Sequence, residues 1–170
     1  MKRISKIYFR KGSFEFDSKK DFDSLSTKGF GFEENGSYYL FSYEVAYLLK
    51  KEKIHVLKKD VNFSLSEVLS LSQVDNDLFL VYEDLRSKGY YLGSGLKFGC
   101  DFRVYDKGHK KEEEHSKWLL KVIRDSRKIQ FKDFSSSVRV AHSTNKKVLY
   151  AILDFENGIT YYETDWVNIV

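Results

Sequence analysis

Two aliphatic runs, "KWLLKVI" at 117–123 and "KVLYAILDF" at 147–155, flank a stretch of helical spacing, and this order constrains the fold more than any other feature. In the intervening "QFKDFSSSVRVAHS", Phe134, Val138 and Ala141 recur at intervals that predict one buried helix face. Strand, helix, strand is a crossover, which favours parallel, right-handed placement of the two strands in one sheet. The earlier run "CDFRVY" (100–105) is joined to 117–123 only by the polar loop "DKGHKKEEEHS", so these two strands are expected to pair antiparallel. After "ENG", "ITYYETDWV" returns as a hairpin strand.

The first part of the chain has a different grain. From Ile4 to about Phe41, alternating runs such as "KIYF", "SFEF" and "SYYLF" are broken by "RKG" and "ENG" and predict small hairpin strands. The period then changes. "SYEVAYLLKKEK" sets Val45, Leu48 and Leu49 on one helix face behind Ser42 as N-cap, and "SLSE" at 64–67 has capping-box form. A third helix, about 75–88, carries Leu78, Val81 and Leu85 and stops at Gly89. The expected class is α+β: a small N-terminal α+β domain (1–74), then a C-terminal mixed β-sheet domain flanked by helices (75–170), with the boundary near Val74.

Apolar residues make up 42% of the 170, enough for a core in one domain or two small ones. Lys and Arg number 29 against 25 acidic residues, a mildly basic balance that suits a polyanion or simply solubility. The single cysteine, Cys100, excludes an internal disulfide, and the four histidines offer no metal-ligand spacing, so the expected chemistry needs neither metal nor cofactor. No signal-peptide core or membrane-spanning run occurs, and a reducing cytoplasm is the expected location. Proline is absent, which leaves the turns to Gly, Asn and Asp.

Four glycines, at 89, 93, 95 and 99, invite comparison with a phosphate-cradling loop, but three residues rather than two separate Gly95 from Gly99, and no G-K-[ST] follows. They are read as turn glycines. His142 beside Ser143 is no nucleophile–base pair, because neighbouring helix residues point about 100° apart. A metal-dependent nuclease element, Asp/Glu-x-Lys, is missing after Asp101.

The expected topology carries the end of strand 100–105 and the starts of strands 117–123 and 147–154 to one sheet edge. Tyr105, His115 and Lys146 then converge. Histidine can donate a proton to a leaving oxygen, a phenol beside cations can accept one, and an ammonium can stabilise a phosphorane. That set suits RNA cleavage, in which the substrate's own 2′-OH is the nucleophile. Taken singly, the three also fit a strand-end tyrosine, a loop histidine and a solvated lysine.

Beyond these inferences, "VYEDLRSKGYYLGSGLKFGCDFRVYDKG", "EEEHSKWLLKV" and "SSVRVAHSTNKKVLYAIL" together resemble the archaeal tRNA-splicing endonuclease family. The likeness covers roughly residues 78–165, with order and spacing kept, whereas the first 70 or so match only in general pattern. The resemblance implies a splicing-endonuclease, restriction-endonuclease-like fold. It also implies a metal-independent tRNA-intron lyase that cuts precursor tRNA at bulge–helix–bulge junctions, leaving 2′,3′-cyclic phosphate and 5′-hydroxyl ends. Carried over residue by residue, Tyr105 is the general base, His115 the general acid and Lys146 the transition-state cation, with Lys147 pointing elsewhere. Arg139 matches an arginine that stacks on a bulge base across the assembly. A second arginine of some members, near the last hairpin, has no counterpart, since none occurs between Val140 and Val170. Asp154 and Glu156 match an acidic loop that docks on a partner subunit, which implies a homotetramer or a heterotetramer with a second endonuclease subunit. Two other readings stay open on sequence: a non-catalytic structural or RNA-binding subunit, and a general single-strand RNA-binding module built on exposed aromatic residues.

Overall fold

Three two-residue turns with positive φ at both positions set the hairpins of the first part: Lys11-Gly12, Asn35-Gly36 and Lys59-Asp60. Positive φ at both central residues matches the right-handed strand twist. These turns join β1 (Ser5–Arg10) to β2 (Ser13–Phe16), β3 (Phe32–Glu34) to β4 (Ser37–Leu40), and β5 (Ile54–Lys58) to β6 (Val61–Asn62). The structure, a computed structural model, describes residues 4–72, 74–108, 115–167 and 169. Residues 109–114, which include most of the polar loop and Glu112–Glu114 of the "EEEHS" motif, lie outside the described residues.

The backbone divides into two units, Met1–Phe79 and Leu80–Val170. In the first, a six-stranded sheet of order β3-β4-β2-β1-β5-β6, with β1 and β5 parallel, packs helices over Ile7, Phe14, Leu40, Ile54 and Val56. Three features here depart from the sequence expectation. Residues 19–26 form a helix, α1 (Lys19–Ser26), where hairpin strands were expected; the Ser18 hydroxyl accepts the Asp21 N–H at 3.2 Å. With eight residues and two inward apolar groups, Phe22 and Leu25, its period is too short to stand out. Strands β5 and β6 were not anticipated. In α2 (Ser42–Lys50) the cap position falls to Phe41, not Ser42, and the buried Glu44 carboxylate accepts the N–H groups of Phe41 and Gly31 at 3.1 and 3.0 Å. The expected capping box is present before α3 (Leu65–Ser72): Glu67 accepts from the Ser64 N–H at 2.7 Å, and the Ser64 hydroxyl accepts the Glu67 N–H at 3.4 Å.

Helix α4 (Asn76–Ser87) buries Val81, Tyr82 and Leu85, and Gly89 follows at φ +91°, a left-handed helix stop. In the second unit β7 (Tyr91–Ser94), β8 (Phe102–Tyr105), β9 (Trp118–Arg124), β10 (Lys147–Leu153) and β11 (Ile159–Thr164) form a mixed sheet of order β11-β10-β9-β8-β7. β9 and β10 are parallel through α5 (Phe131–Ser143), and every other pairing is antiparallel. The α+β class and the mixed second sheet are as the sequence leads one to expect.

Alternation sorts this sheet into two faces. One carries Phe102, Val104, Leu120, Ala151 and Leu153, on the side of α4, where the Tyr82 and Phe102 rings lie 5.8 Å apart and the Tyr161 hydroxyl donates to Asp84 at 2.7 Å. The other carries Leu119, Val148 and Tyr150 under Val138 and Ala141 of α5. Among the described residues no helix is long and apolar enough to cross a membrane. Leu120 is fully buried in the central strand. Leu120→Ala is expected to destabilise the protein by about 2–5 kcal/mol, read from the shift of a urea unfolding midpoint against wild type.

Candidate active site

One residue gathers the strand ends. The Lys117 N–H donates to the Val104 carbonyl at 2.9 Å, and the Lys147 N–H donates to the Lys117 carbonyl at 3.2 Å. The end of β8, the approach to β9 and the start of β10 are therefore side by side. Tyr105 ends β8, His115 lies two residues before Lys117, and Lys146 immediately precedes β10. The convergence argued from element order is thus present in the backbone.

The three side chains differ in setting. Tyr105 is 3% exposed, on the α5 side of the sheet, and its hydroxyl has no partner among the described residues. His115 is exposed. Lys146 is half-buried, with its Nζ donating to the Thr144 carbonyl at 2.8 Å and lying 5.7 Å from the centre of the Phe98 ring. Its backbone N–H closes the end of α5 on the Ala141 carbonyl at 2.8 Å. Lys147 faces the other way: its Nζ meets Glu163 of β11 at 2.6 Å and Asp165 at 3.9 Å. Glu163 also accepts the Trp118 indole N–H at 2.7 Å, so one carboxylate ties β9, β10 and β11 together at this edge.

Sequence reasoning missed Arg103 and Phe98. The Arg103 guanidinium lies 5.8 Å from the centres of both the Tyr105 and the Phe98 rings, and its Nε donates to the Ser94 carbonyl at 2.9 Å. The signal available was the two-residue spacing of Arg103 and Tyr105, which puts both on one strand face. The glycines explain Phe98. Between β7 and β8 a 3₁₀ turn, Leu96–Phe98, is bounded by Gly95 and by Gly99 at φ +64°. A Cβ at Gly95 would collide with the Cys100 carbonyl and come within 2.6 Å of its sulfur. Gly95 and Gly99 are turn glycines as expected and Gly89 ends a helix, whereas Gly93, also expected in a turn, lies within β7 because the pairing with Arg103 continues through it. Burial pushes the Cys100 thiol up to about 11, which disfavours the thiolate at neutral pH.

The remaining expected residues lie on α5 and in the turn after β10. Arg139 is exposed on α5, lining a groove of about 460 Å³ with Phe131, Phe134, His142 and Trp166. His142 packs edge-on against Trp166, with ring centres 4.5 Å apart. In the β10–β11 turn the Asp154 carboxylate accepts the N–H groups of Glu156 and Gly158 at 2.9 and 2.7 Å, and Arg124 donates to the Asp154 carbonyl at 2.8 Å and to Asn157 at 2.9 Å. Glu156 and Phe155 remain exposed.

A family model, the catalytic C-terminal domain of tRNA intron endonuclease, matches residues 76–161. The chain belongs to the tRNA intron endonuclease family. A tRNA-splicing endonuclease of Pyrococcus abyssi is 36% identical over 98% of this chain and 99% of its own length. Relatives of the same name from Thermococcus kodakarensis and Methanothermobacter thermautotrophicus are 41% and 44% identical, over 81% and 73% of this chain and 83% and 74% of their own. As a tRNA intron endonuclease family member the protein is an endonuclease, and all the strands that meet at the Lys117 edge lie within the matched segment.

The Lys147–Glu163–Trp118 cluster has a pH signature. The hydrogen bond from Lys147, followed by that from Trp118, holds the Glu163 carboxyl below its ordinary value of 4.5. A carboxyl depressed by folding contributes stability that is present above its unfolded value and lost as pH falls through the folded one. Glu163→Gln is therefore expected to lose stability at neutral pH and to flatten the fall in thermal midpoint below pH 4.5, measured by melts across the acid range.

Proposed function

We propose that the protein excises introns from precursor tRNA by cutting bulge–helix–bulge junctions, with the second unit as its catalytic domain. Tyr105 takes the proton of the 2′-OH as that oxygen attacks the scissile phosphorus. His115 protonates the departing 5′-oxygen, and Lys146 stabilises the charge of the phosphorane between the two steps. The products are a 2′,3′-cyclic phosphate and a 5′-hydroxyl. No metal, cofactor or protein nucleophile enters, because the RNA supplies its own.

The observation that carries this reading is the meeting of three strand ends at Lys117, with a phenol, an imidazole and an ammonium at those ends in a chain of this family. The opposed settings of the two adjacent lysines add to it. Lys147 is held by Glu163, whereas among the described residues the ammonium of Lys146 has a carbonyl partner and an aromatic ring beside it and no carboxylate.

The relatives' shared name supports a precursor tRNA as substrate. Arg139, exposed on α5 beside Phe131, Phe134 and Trp166, fits a role at the site of another copy, stacking on a bulge base. Glu156, on a turn braced by Asp154 and Arg124, fits docking against a partner subunit in a homotetramer or in a heterotetramer with a second endonuclease subunit.

The test is cleavage of a bulge–helix–bulge hairpin by the purified protein in EDTA. Wild type is expected to give cyclic phosphate ends, and Tyr105→Phe, His115→Ala and Lys146→Ala to lose roughly 10²–10⁴-fold in single-turnover rate with thermal midpoints kept. Activity that appears only on adding metal, or a Lys146→Ala variant as fast as wild type, would overturn the mechanism. Arg139→Ala is expected to weaken binding of the bulged hairpin while leaving affinity for an unbulged duplex unchanged, read by filter binding.

A further inference from the structure

We propose that Arg103 is a fourth functional group of this site, a second cation that grips a non-bridging oxygen of the scissile phosphate beside Lys146. The inference rests on the transesterification reading and adds a residue to it. Arg103 shares a strand face with Tyr105, and its guanidinium carbon is 5.8 Å from the centre of that ring. The Phe98 ring connects the two cations, with the Arg103 guanidinium 5.8 Å and the Lys146 ammonium 5.7 Å from its centre.

How Arg103 is held decides what it can do. Its Nε is fixed on the Ser94 carbonyl at 2.9 Å, which orients the planar group and leaves both terminal amino groups without a hydrogen-bond or carboxylate partner among the described residues. Gly93 is opposite Arg103 in the β7–β8 pairing, and a Cβ there would only just touch the fork and the tyrosine, at van der Waals distances of 3.4 Å from Nη2 and 3.5 Å from the Tyr105 ring. A half-buried guanidinium with an open fork is the donor geometry that matches two oxygens of one phosphate. Two cations within 6 Å of one ring centre give this face a positive potential, and a phosphorane bound against both is stabilised by it. The gain grows as charge accumulates on the phosphorus oxygens, so it favours the transition state over bound substrate.

The experiment uses bulge–helix–bulge RNA carrying a single phosphorothioate at the scissile position, each diastereomer separately, against the all-oxygen substrate. Arg103→Met is expected to lower kcat on the order of 10²-fold with KM within about twofold, thermal midpoint unchanged, and the rate penalty of one diastereomer reduced. Arg103→Lys, which restores charge without the fork, is expected to recover only part of kcat. The inference is overturned if Arg103→Met cuts like wild type, or if its loss of rate follows a fallen melting point with both sulfur penalties intact. Wild-type failure to cut the all-oxygen RNA in EDTA would remove the transesterification reading and this inference together. Normal wild-type cleavage with an indifferent Arg103→Met removes the inference alone.

Discussion

The site depends on the two hydrogen bonds made by the backbone of Lys117. Through its N–H to Val104 and its carbonyl to Lys147, one residue registers an antiparallel and a parallel neighbour at the same level of the sheet. Each bond adds only about 1 kcal/mol net. They hold because the strands behind them are buried on both faces, by Leu120, Ala151 and Leu153 on one and by Leu119 and Val148 on the other. A slip of one residue in β10 would exchange Lys146 with Lys147 and send Val148 to the wrong face, so the packing that stabilises the sheet also selects which lysine shares the face of Tyr105.

That division of faces separates two kinds of work at one edge. On the α4 side, Lys147, Glu163 and Trp118 satisfy one another and close the sheet's corner. On the α5 side, Tyr105, Arg103, Phe98 and Lys146 form a cluster rich in cations and rings with no carboxylate contact among the described residues. Opposite electrostatic characters lie within one strand's thickness because side chains alternate, so a lysine paired with carboxylates and a lysine without one among the described residues can be adjacent in sequence.

Much of the second unit was legible in the sequence because its periods are long and clean. β9, α5 and β10 are seven, thirteen and seven residues, and their pattern determined the edge to which Tyr105 and Lys146 would come. The first unit was harder. α1 has eight residues and two inward apolar groups, and β5 and β6 are joined by Lys59-Asp60, a tight turn without glycine or asparagine to announce it. Ser42 looked like a cap on residue type, yet Glu44 does that work by reaching back to Phe41 and across to Gly31, a partner thirteen residues away. Arg103 escaped for a related reason. Its significance comes from Phe98 and Ser94, which only the folded turn brings beside it.

The glycine-rich turn between β7 and β8 has a consequence for how this gene can vary. At Gly95 the volume where any side chain would begin is already taken by the Cys100 carbonyl and sulfur. Every replacement there must displace the turn that carries Phe98, so none is mild. In a saturation scan the position should look as intolerant as a reacting group although it has no functional atom, and ranking residues by intolerance alone would set a blank space beside the groups it serves.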